Sequence, residues 1–308
     1  MRTYRLRRLA AVPVLILAVS VLVFLFIRLI PGDPVRAILG TNAGDPALVE
    51  RLHRQLGIDL PLPEQYAKWF GGALHGDFGY SYIQQRPVGQ LVMSNLSWTV
   101  QLVCASLVVS LILGTAAGTF AALRRNSGVD TLVMTTALIF LSIPSFWFGL
   151  LLLVLFAVQL QWFAVVGGGS LRGLVLPAVT LGLGSMGFIA RFVRSSIIEA
   201  LEQPHVLYAR ARGIPAGAVI RRHVMRNSIA PLLTVIGLEA GNLVTGAVIV
   251  ETIYSRPGIG RLLVYSSVNK DYLTVQAVVL LIALIYVLIN LVIDLVRPIL
   301  DPRLVYVR

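Results

Sequence analysis

The residues best suited to chemistry in this chain are polar side chains inside long apolar stretches. Glu239 and Asn242 are three positions apart in one such stretch, so a helix would present both on one face. Ionisable groups are costly within a membrane and often mark functional pathways there. The pair is expected either to line a water-filled translocation path or to hydrogen-bond a neighbouring helix.

A second candidate group surrounds a proline within another apolar stretch, Ser142-Ile143-Pro144-Ser145-Phe146. Proline lacks a backbone donor and its ring crowds the preceding turn, so a helix bends at this point. Such bends occur in transport paths, but proline is also common in passive membrane helices. Ser142 and Pro144 are therefore predicted path residues, with a passive bend as the alternative.

Recognisable catalytic motifs are absent from the sequence. It contains no G-x-x-x-x-G-K-[ST] phosphate loop, no H-E-x-x-H and no G-x-S-x-G, and its four histidines are scattered. The one cysteine, Cys104, forms no intrachain disulfide and is expected to be a small buried group. We predict no catalytic residue, no cofactor site and no metal site, and therefore no enzyme activity in this chain.

The composition excludes a soluble domain. Of 308 residues, 57% are hydrophobic and only 13% charged, against about 25% charged in average soluble proteins. Mean hydropathy is +0.83. The net charge of +12 would suggest nucleic acid binding in a soluble protein, but in a membrane protein basic residues concentrate in cytoplasmic loops. We therefore predict a membrane protein that does not bind nucleic acid.

Six apolar runs are long enough to cross a bilayer, which requires about 20 residues. The predicted fold is all-α: a polytopic membrane protein with six transmembrane helices and a small folded outer cap between helices one and two. The six runs are Leu9–Ile30, Val100–Leu123, Leu132–Ala157, Leu174–Ala190, Ile229–Val250 and Thr274–Val296. The predicted regions are 1–30 (N-terminus and first helix), 31–98 (cap), 99–297 (five-helix core with cytoplasmic loop 191–228) and 298–308 (tail).

Arginine distribution predicts the orientation. With both termini in the cytoplasm, sixteen of the 26 basic residues lie on the cytoplasmic side, seven of them in the loop 191–228. The reverse orientation would place these residues outside, against the positive-inside bias. Asp294 near the end of the last run is expected to pair locally with Arg297.

The outer segment 31–98 contains two short amphipathic patterns. Asp45 and Pro46 are suited to begin a helix over 46–56, and Tyr66, Trp69 and Phe70 belong to a second helix over 65–74. Long ordered loops usually have functions. The cap is expected to dock a partner, or alternatively to pack on the helices as a lid that binds nothing.

The cytoplasmic loop 191–228 contains a short predicted helix over Pro204–Arg212. Proline suits its first turn, and Gly213 suits a left-handed position after its end. Small side chains at Ala209 and Ala211 would allow close approach to another protein, while Arg210 and Arg212 could pair with acidic groups. The alternative is an amphipathic loop that rests on anionic lipid.

These segments together resemble the dipeptide/oligopeptide (DppB/OppB-like) permeases of ABC importers. Residues 208–213 and 223–231 resemble the EAA coupling loop of that family. Agreement extends to Leu29-Ile30-Pro31-Gly32-Asp33-Pro34, Gly76-Asp77-Phe78-Gly79-Tyr80-Ser81, Leu141-Ser142-Ile143-Pro144-Ser145-Phe146-Trp147, Glu251-Thr252-Ile253-Tyr254 and Pro257-Gly258-Ile259-Gly260. The segments occur in the family's order and extend over nearly the whole chain.

The resemblance implies a transmembrane subunit of an ATP-driven peptide importer in the bacterial cytoplasmic (inner) membrane. A second homologous permease would complete the path, two ABC ATPase subunits would bind ATP and Mg and dock on residues 209–213, and an extracytoplasmic substrate-binding protein would deliver substrate. Alternatives are an ion-gradient-driven secondary transporter, or the same ABC role with a nickel chelate, glutathione or haem as substrate.

Overall fold

The structure is a computed structural model that describes residues 2–29, 35, 39, 45–164, 170–220 and 224–300. Within these ranges the chain is almost entirely helical, and the only strands form one hairpin of two residues each. This confirms the predicted all-α fold. Among the described residues, five helices are long and apolar enough to cross a membrane, and a bent pair makes six if it counts as one span.

The elements are numbered in chain order. The first two spans and the segment between them contain α1 (Arg2–Leu29), α2 (Pro46–Leu56), α3 (Leu62–Leu74), β1 (Tyr80–Ser81), β2 (Arg86–Pro87) and α4 (Val88–Leu123). The bent pair is α5 (Gly128–Ser142) and α6 (Ser145–Leu152), which continues as a π-helical segment over Leu153–Gln159. The remaining helices are α7 (Leu171–Leu201), α8 (Pro204–Ala211), α9 (Ala216–Val219), α10 (Met225–Ile253), α11 (Ile259–Val268) and α12 (Tyr272–Leu300).

The predicted third span is broken and not one continuous helix. Between α5 and the helical segment that starts at Ser145, the axis turns by 100°. Pro144 cannot donate a backbone hydrogen bond, and Ile143 before it is extended, with ψ 125. The predicted bend at Pro144 is confirmed, but its size makes the pair a broken span or a re-entrant segment.

Helices α4 and α7 share the most extensive contact among the described elements. Gly118 allows this approach, because a Cβ there would lie 2.9 Å from Cβ of Val193. Leu102 of α4 and Leu181 of α7 belong to one buried cluster with Leu243 of α10. The centre of the bundle is therefore built from the second, fourth and fifth predicted spans.

The described part of the segment predicted to be the cap packs on the first span. Asp45 begins α2 as predicted, since its Oδ1 accepts a hydrogen bond from the backbone N–H of Ala47 at 2.9 Å. In α3, Tyr66 has its ring 5.3 Å from that of Phe24 and its hydroxyl 2.7 Å from the Ser20 hydroxyl. Helix α4 begins at Val88, so residues 88–98 of the segment assigned to the cap are its first three turns.

The hairpin between the cap and α4 is attached to the last helix. Ser81 donates a hydrogen bond to Asp271 Oδ2 at 2.5 Å, and Thr274 in the first turn of α12 donates to the same oxygen at 2.8 Å. All three residues are buried. The buried Asp271 carboxylate thus joins the start of α12 to Ser81 of β1, 190 positions earlier in the chain.

Two expectations about single residues need correction. Cys104 is exposed on the surface of the chain and not buried, because it lies on a face of α4 that no described helix covers. Asp294 pairs with Arg8 of α1, at 3.0 Å between Oδ2 and Nη1, because α1 and α12 pack side by side. The side chain of Arg297, its expected partner, lies outside the described residues.

Candidate coupling loop and translocation path

The short helix α8, in the loop that is predicted to be cytoplasmic, begins at the predicted residue and ends close to the predicted one. It begins at Pro204 and finishes at Ala211, one residue before the predicted end. Gly213 has a φ of +76, and the backbone N–H of Ile214 bonds to the carbonyl of Ala209 at 3.3 Å. This is the left-handed arrangement that glycine adopts without strain after a helix end.

One face of α8 packs into the membrane helices. Val206 is 0% exposed and Ala209 is 5% exposed, and they are three positions apart, on one helical face. Both belong to a buried cluster with Ile197 of α7, Val219 of α9 and Val235 of α10. This arrangement corrects the expectation that Ala209 faces a partner: its small side chain allows close packing against this chain's own helices.

The other face of α8 is exposed. Leu207 is 53% and Tyr208 64% exposed, and Ala211 and Arg212 are also exposed. The Arg212 guanidinium lies 5.3 Å from the Tyr208 ring centroid. Arg210 lies in the helix, but its side chain is outside the described residues. The described members of the predicted coupling set therefore divide into one buried residue, Ala209, and three exposed ones, Ala211, Arg212 and Gly213.

A cavity of about 300 Å³ lies between α8 and the ends of α4 and α7. Its lining residues are Ala122, Arg125, Ile198, Leu201, Glu202 and Leu207. At its rim Arg125 donates a hydrogen bond to Glu202 Oε1 at 2.5 Å. This ion pair joins the turn after α4 to the residue that follows α7, in the segment that leads directly into α8.

The predicted path residues of α10 are in contact with each other. Asn242 donates a hydrogen bond to Glu239 Oε1 at 3.2 Å. Glu239 is only 5% exposed, whereas Asn242 lies on the exposed face of the helix. Glu239 shares its face with Val235 and Leu243, both of which belong to buried clusters. Its carboxylate is therefore buried within this chain. The hydrogen bond to Asn242 links it to the exposed face of the helix.

The other predicted path residues, Ser142 and Pro144, are exposed at the break between α5 and α6. The segment after the break is held by Tyr254, whose hydroxyl donates to the backbone carbonyl of Gly149 at 3.0 Å. The same hydroxyl lies 2.9 Å from Oγ1 of Thr180 in α7. Tyr254 thus connects α6, α7 and the end of α10. Among the described residues, Pro144 and Glu239 do not contact each other.

A buried polar cluster at the C-terminal end of α10 was not predicted from the sequence as a site. Glu251 is 0% exposed and accepts hydrogen bonds from the Thr99 hydroxyl at 2.5 Å and from the backbone N–H of Gly260 at 2.8 Å. The backbone N–H of Arg261 also donates to it, at 3.3 Å. The sequence signal was the pair of segments 251–254 and 257–260, which contributed to the resemblance but suggested no chemistry.

Arg256 lies beside this cluster and is 2% exposed. It donates through Nη2 to Gln101 Oε1 at 3.1 Å, and its guanidinium carbon lies 5.1 Å from the Trp98 ring centroid. Burial lowers the pKa of the Arg256 guanidinium, and the nearby Glu251 carboxylate opposes that shift. A basic side chain is therefore buried in the segment between α10 and α11, close to a buried acid.

Comparison with known proteins agrees with this architecture. Residues 114–306 match the family described as binding-protein-dependent transport system inner membrane component, and residues 1–103 match the N-terminal region of such components. The glutathione transport system permease protein GsiC of Escherichia coli (strain K12) is 40% identical over 284 residues, 92% of each chain. The protein of the same name from Shigella flexneri serotype 5b (strain 8401) is 39% identical over the same length and coverage.

Two solved structures share the fold. The MetNI methionine ABC transporter in an inward-facing conformation gives a TM-score of 0.59 at 17% identity, over 69% of this chain and 97% of that chain. An amino acid ABC transporter with histidines gives 0.50 at 19% identity, over 70% of this chain and 94% of that chain. At these identities the likeness concerns the fold alone.

The fold and the family match define a multi-pass, all-α membrane protein of the inner membrane. The chain belongs to the family of binding-protein-dependent transport system inner membrane components, the permease subunits of ABC importers.

Proposed function

We propose that this chain is one of two homologous permease subunits that form the translocation path of an importer for small peptides. Two ABC ATPase subunits bind ATP and Mg and dock at the cytoplasmic face, and an extracytoplasmic binding protein delivers the substrate. The chain itself performs no catalysis and holds no cofactor. Both termini lie in the cytoplasm, as the arginine distribution indicates.

The observation that carries the proposal is the two-faced helix α8. Its buried face, with Val206 and Ala209, packs in one cluster with α7, α9 and α10. Its opposite face exposes Leu207 and Tyr208 beside Arg212. Aromatic and arginine side chains are enriched at protein interfaces. A partner that moves this exposed face would move the membrane helices with it, because the buried face is packed against them.

The relatives, and not a pocket, support the proposed substrate class. GsiC, which is 40% identical to this chain, is named for glutathione transport, and glutathione is a short peptide. The Glu239 carboxylate, which Asn242 connects to the exposed face of α10, is suited to attract the amino group of a peptide. Nickel chelates and haem are alternatives within the same ABC role, but no described residue favours them.

The test uses the complete importer reconstituted in proteoliposomes. Purified complex is supplied with binding protein and radiolabelled glutathione or dipeptides, and both ATP hydrolysis and uptake are measured. We expect uptake that requires ATP and the binding protein and that is unaffected by ionophores. Uptake without the ATPase subunits, abolished by an ionophore, would show instead a secondary transporter driven by an ion gradient.

A further inference from the structure

Glu251 is a buried acid that has no role in the transport function proposed above. It lies in the last turn of α10, twelve residues after Glu239, or about 18 Å further along the helix at 1.5 Å per residue. No part of its side chain is exposed. A carboxylate that is buried this completely is stable only when its oxygens accept hydrogen bonds or when it is paired with a charge.

The partners of Glu251 come from two other elements. One oxygen accepts from Thr99 of α4, and the other accepts from the N–H groups of Gly260 and Arg261 in the first turn of α11. Thr99 in turn accepts a hydrogen bond from the N–H of Ile259 at 2.9 Å. The carboxylate therefore satisfies the N-terminal donors of α11, where a negative charge is also favoured by the helix dipole.

The glycines before and within α11 leave space for this carboxylate. A Cβ on Gly258 would clash with the carboxyl group of Glu251, and only Glu251 atoms are its nearest neighbours there. A Cβ on Gly260 would instead clash with the backbone of Val248, as well as lying 2.9 Å from Glu251 Oε2. A larger residue at position 258 would therefore collide with the Glu251 carboxylate, whereas a larger residue at position 260 would collide with the backbone of α10.

We propose that Glu251 is a positioning residue that holds α11 against α4 and α10, so that these three elements move as one unit at the outer end of the translocation path. The existence of that path rests on the proposed function. The attachment itself rests on the hydrogen bonds, the complete burial and the shape of the glycine segment. Apolar packing of Ile259 and Leu262 against Val88, Leu91 and Val92 of α4 completes the unit.

Cysteine reporters test the attachment independently of transport. All variants carry Cys104→Ser, because Cys104 is exposed. Leu262→Cys reports on the buried face of α11, Val268→Cys on its exposed end and Ile197→Cys on the distant core. The native residues at these positions are 6%, 77% and 1% exposed, respectively. Labelling by a thiol reagent is measured in the complete complex in detergent, with Glu251 present or replaced.

With Glu251→Ala we expect the labelling rate at position 262 to rise about tenfold or more, because local opening follows the loss of local contacts. Labelling at 268 and at 197 should not change. Glu251→Gln should give a smaller rise, because the amide retains one acceptor oxygen. An unchanged labelling rate at position 262 in Glu251→Ala would contradict the proposal. Equal increases in labelling rate at positions 262 and 197 would also contradict it, because they would show general destabilisation.

The two glycines provide a matched pair. Gly258→Ala should increase labelling at 262 when Glu251 is present and change it less than about twofold in Glu251→Ala, since the group it clashes with has been removed. Gly260→Ala should be harmful in both backgrounds. An equal effect of Gly258→Ala in both backgrounds would show that Gly258 is not needed to leave space for the Glu251 carboxylate, and would contradict the proposal.

Transport supplies the last readout. If the unit closes the outer end of the path, Glu251→Ala should raise the amount of ATP hydrolysed per peptide imported about tenfold or more, while ATPase subunits still bind. An unchanged ratio would show that the attachment has no role in coupling. A wild-type complex that hydrolyses no ATP would refute the proposed function, but the labelling result would still decide whether Glu251 holds α11.

Discussion

Asp130 and Arg194 are joined by two parallel hydrogen bonds, from Arg194 Nε to Oδ1 at 2.7 Å and from Arg194 Nη2 to Oδ2 at 2.6 Å. The pair connects the first turn of α5 to α7, and the aspartate also accepts from the backbone N–H of Asn126 at 3.0 Å. Bidentate arginine–carboxylate pairs are both stronger and more directional than single ion pairs. This contact therefore fixes the turn between the second and third predicted spans.

Arg194→Ala should destabilise the permease, because the carboxylate of Asp130, whose side chain is 6% exposed, loses its charged partner. The expected loss is about 1.5–3 kcal/mol, typical of hydrogen bonds to charged groups. Arg194→Lys should be intermediate, because lysine cannot form the fork. Thermal unfolding in detergent measures the effect, and Arg54→Ala, which removes an exposed pair with Glu50, is the control. Equal melting temperatures for Arg194→Ala and wild type would contradict this prediction.

Features decided by neighbouring residues could be predicted from the sequence. The Asp45 cap, a bend at Pro144 and the left-handed Gly213 depend on backbone chemistry within a few positions, and all three are present. The size of the bend at Pro144 was not predicted, because tertiary packing determines it.

Features that join distant segments were missed. Thr99 and Glu251 are 152 positions apart, and only the packed bundle brings them together. The inward orientation of Ala209 had the same cause. A helix eight residues long with small side chains has no face that the sequence marks clearly as buried, so the packing of α7 and α10 decides which side is covered.

The proposed orientation can be tested with single cysteines in a Cys104→Ser background. Ser81 is buried and bonded to Asp271, so Leu74, which is 70% exposed, is the better outer position. Gly128 is exposed at the start of α5 and has open space around it, which suits a cytoplasmic reporter. An impermeant thiol reagent applied to intact cells should label Leu74→Cys and not Gly128→Cys. The opposite pattern would reverse the topology.

Glu239→Gln should reduce uptake of cationic peptides more than uptake of anionic ones, because it removes a negative charge while leaving the side-chain shape almost unchanged. Asn242→Ala is the matched control, since it removes the hydrogen bond to Glu239 Oε1 but keeps the charge. Competition between labelled peptides of different charge in proteoliposomes provides the measurement. If both peptide classes lose uptake equally in Glu239→Gln, the carboxylate does not select by charge.

The two faces of α8 should respond differently to the same substitution. Ala209→Asp places a carboxylate in the cluster around Val206 and Ile197, and an unpaired buried charge costs several kcal/mol. It should detach α8 from the membrane helices, so that ATPase subunits lose association and the permease also melts earlier. Ala211→Asp adds the same group on the exposed face, so the melting temperature of the isolated permease should stay close to wild type while ATPase binding falls.

Gly213→Val tests the turn that follows α8. A non-glycine residue in the left-handed region costs about 1–2 kcal/mol, and valine is branched at Cβ, so the turn should rearrange and tilt α8. Pull-down of ATPase subunits, binding-protein-stimulated ATP hydrolysis and the melting temperature of the permease are measured for all three variants. Ala211→Asp and Gly213→Val with wild-type assembly and stimulation would show that α8 is not the coupling element. A loop resting on anionic lipid would then account for its exposed apolar and basic side chains, because such a loop needs no protein partner.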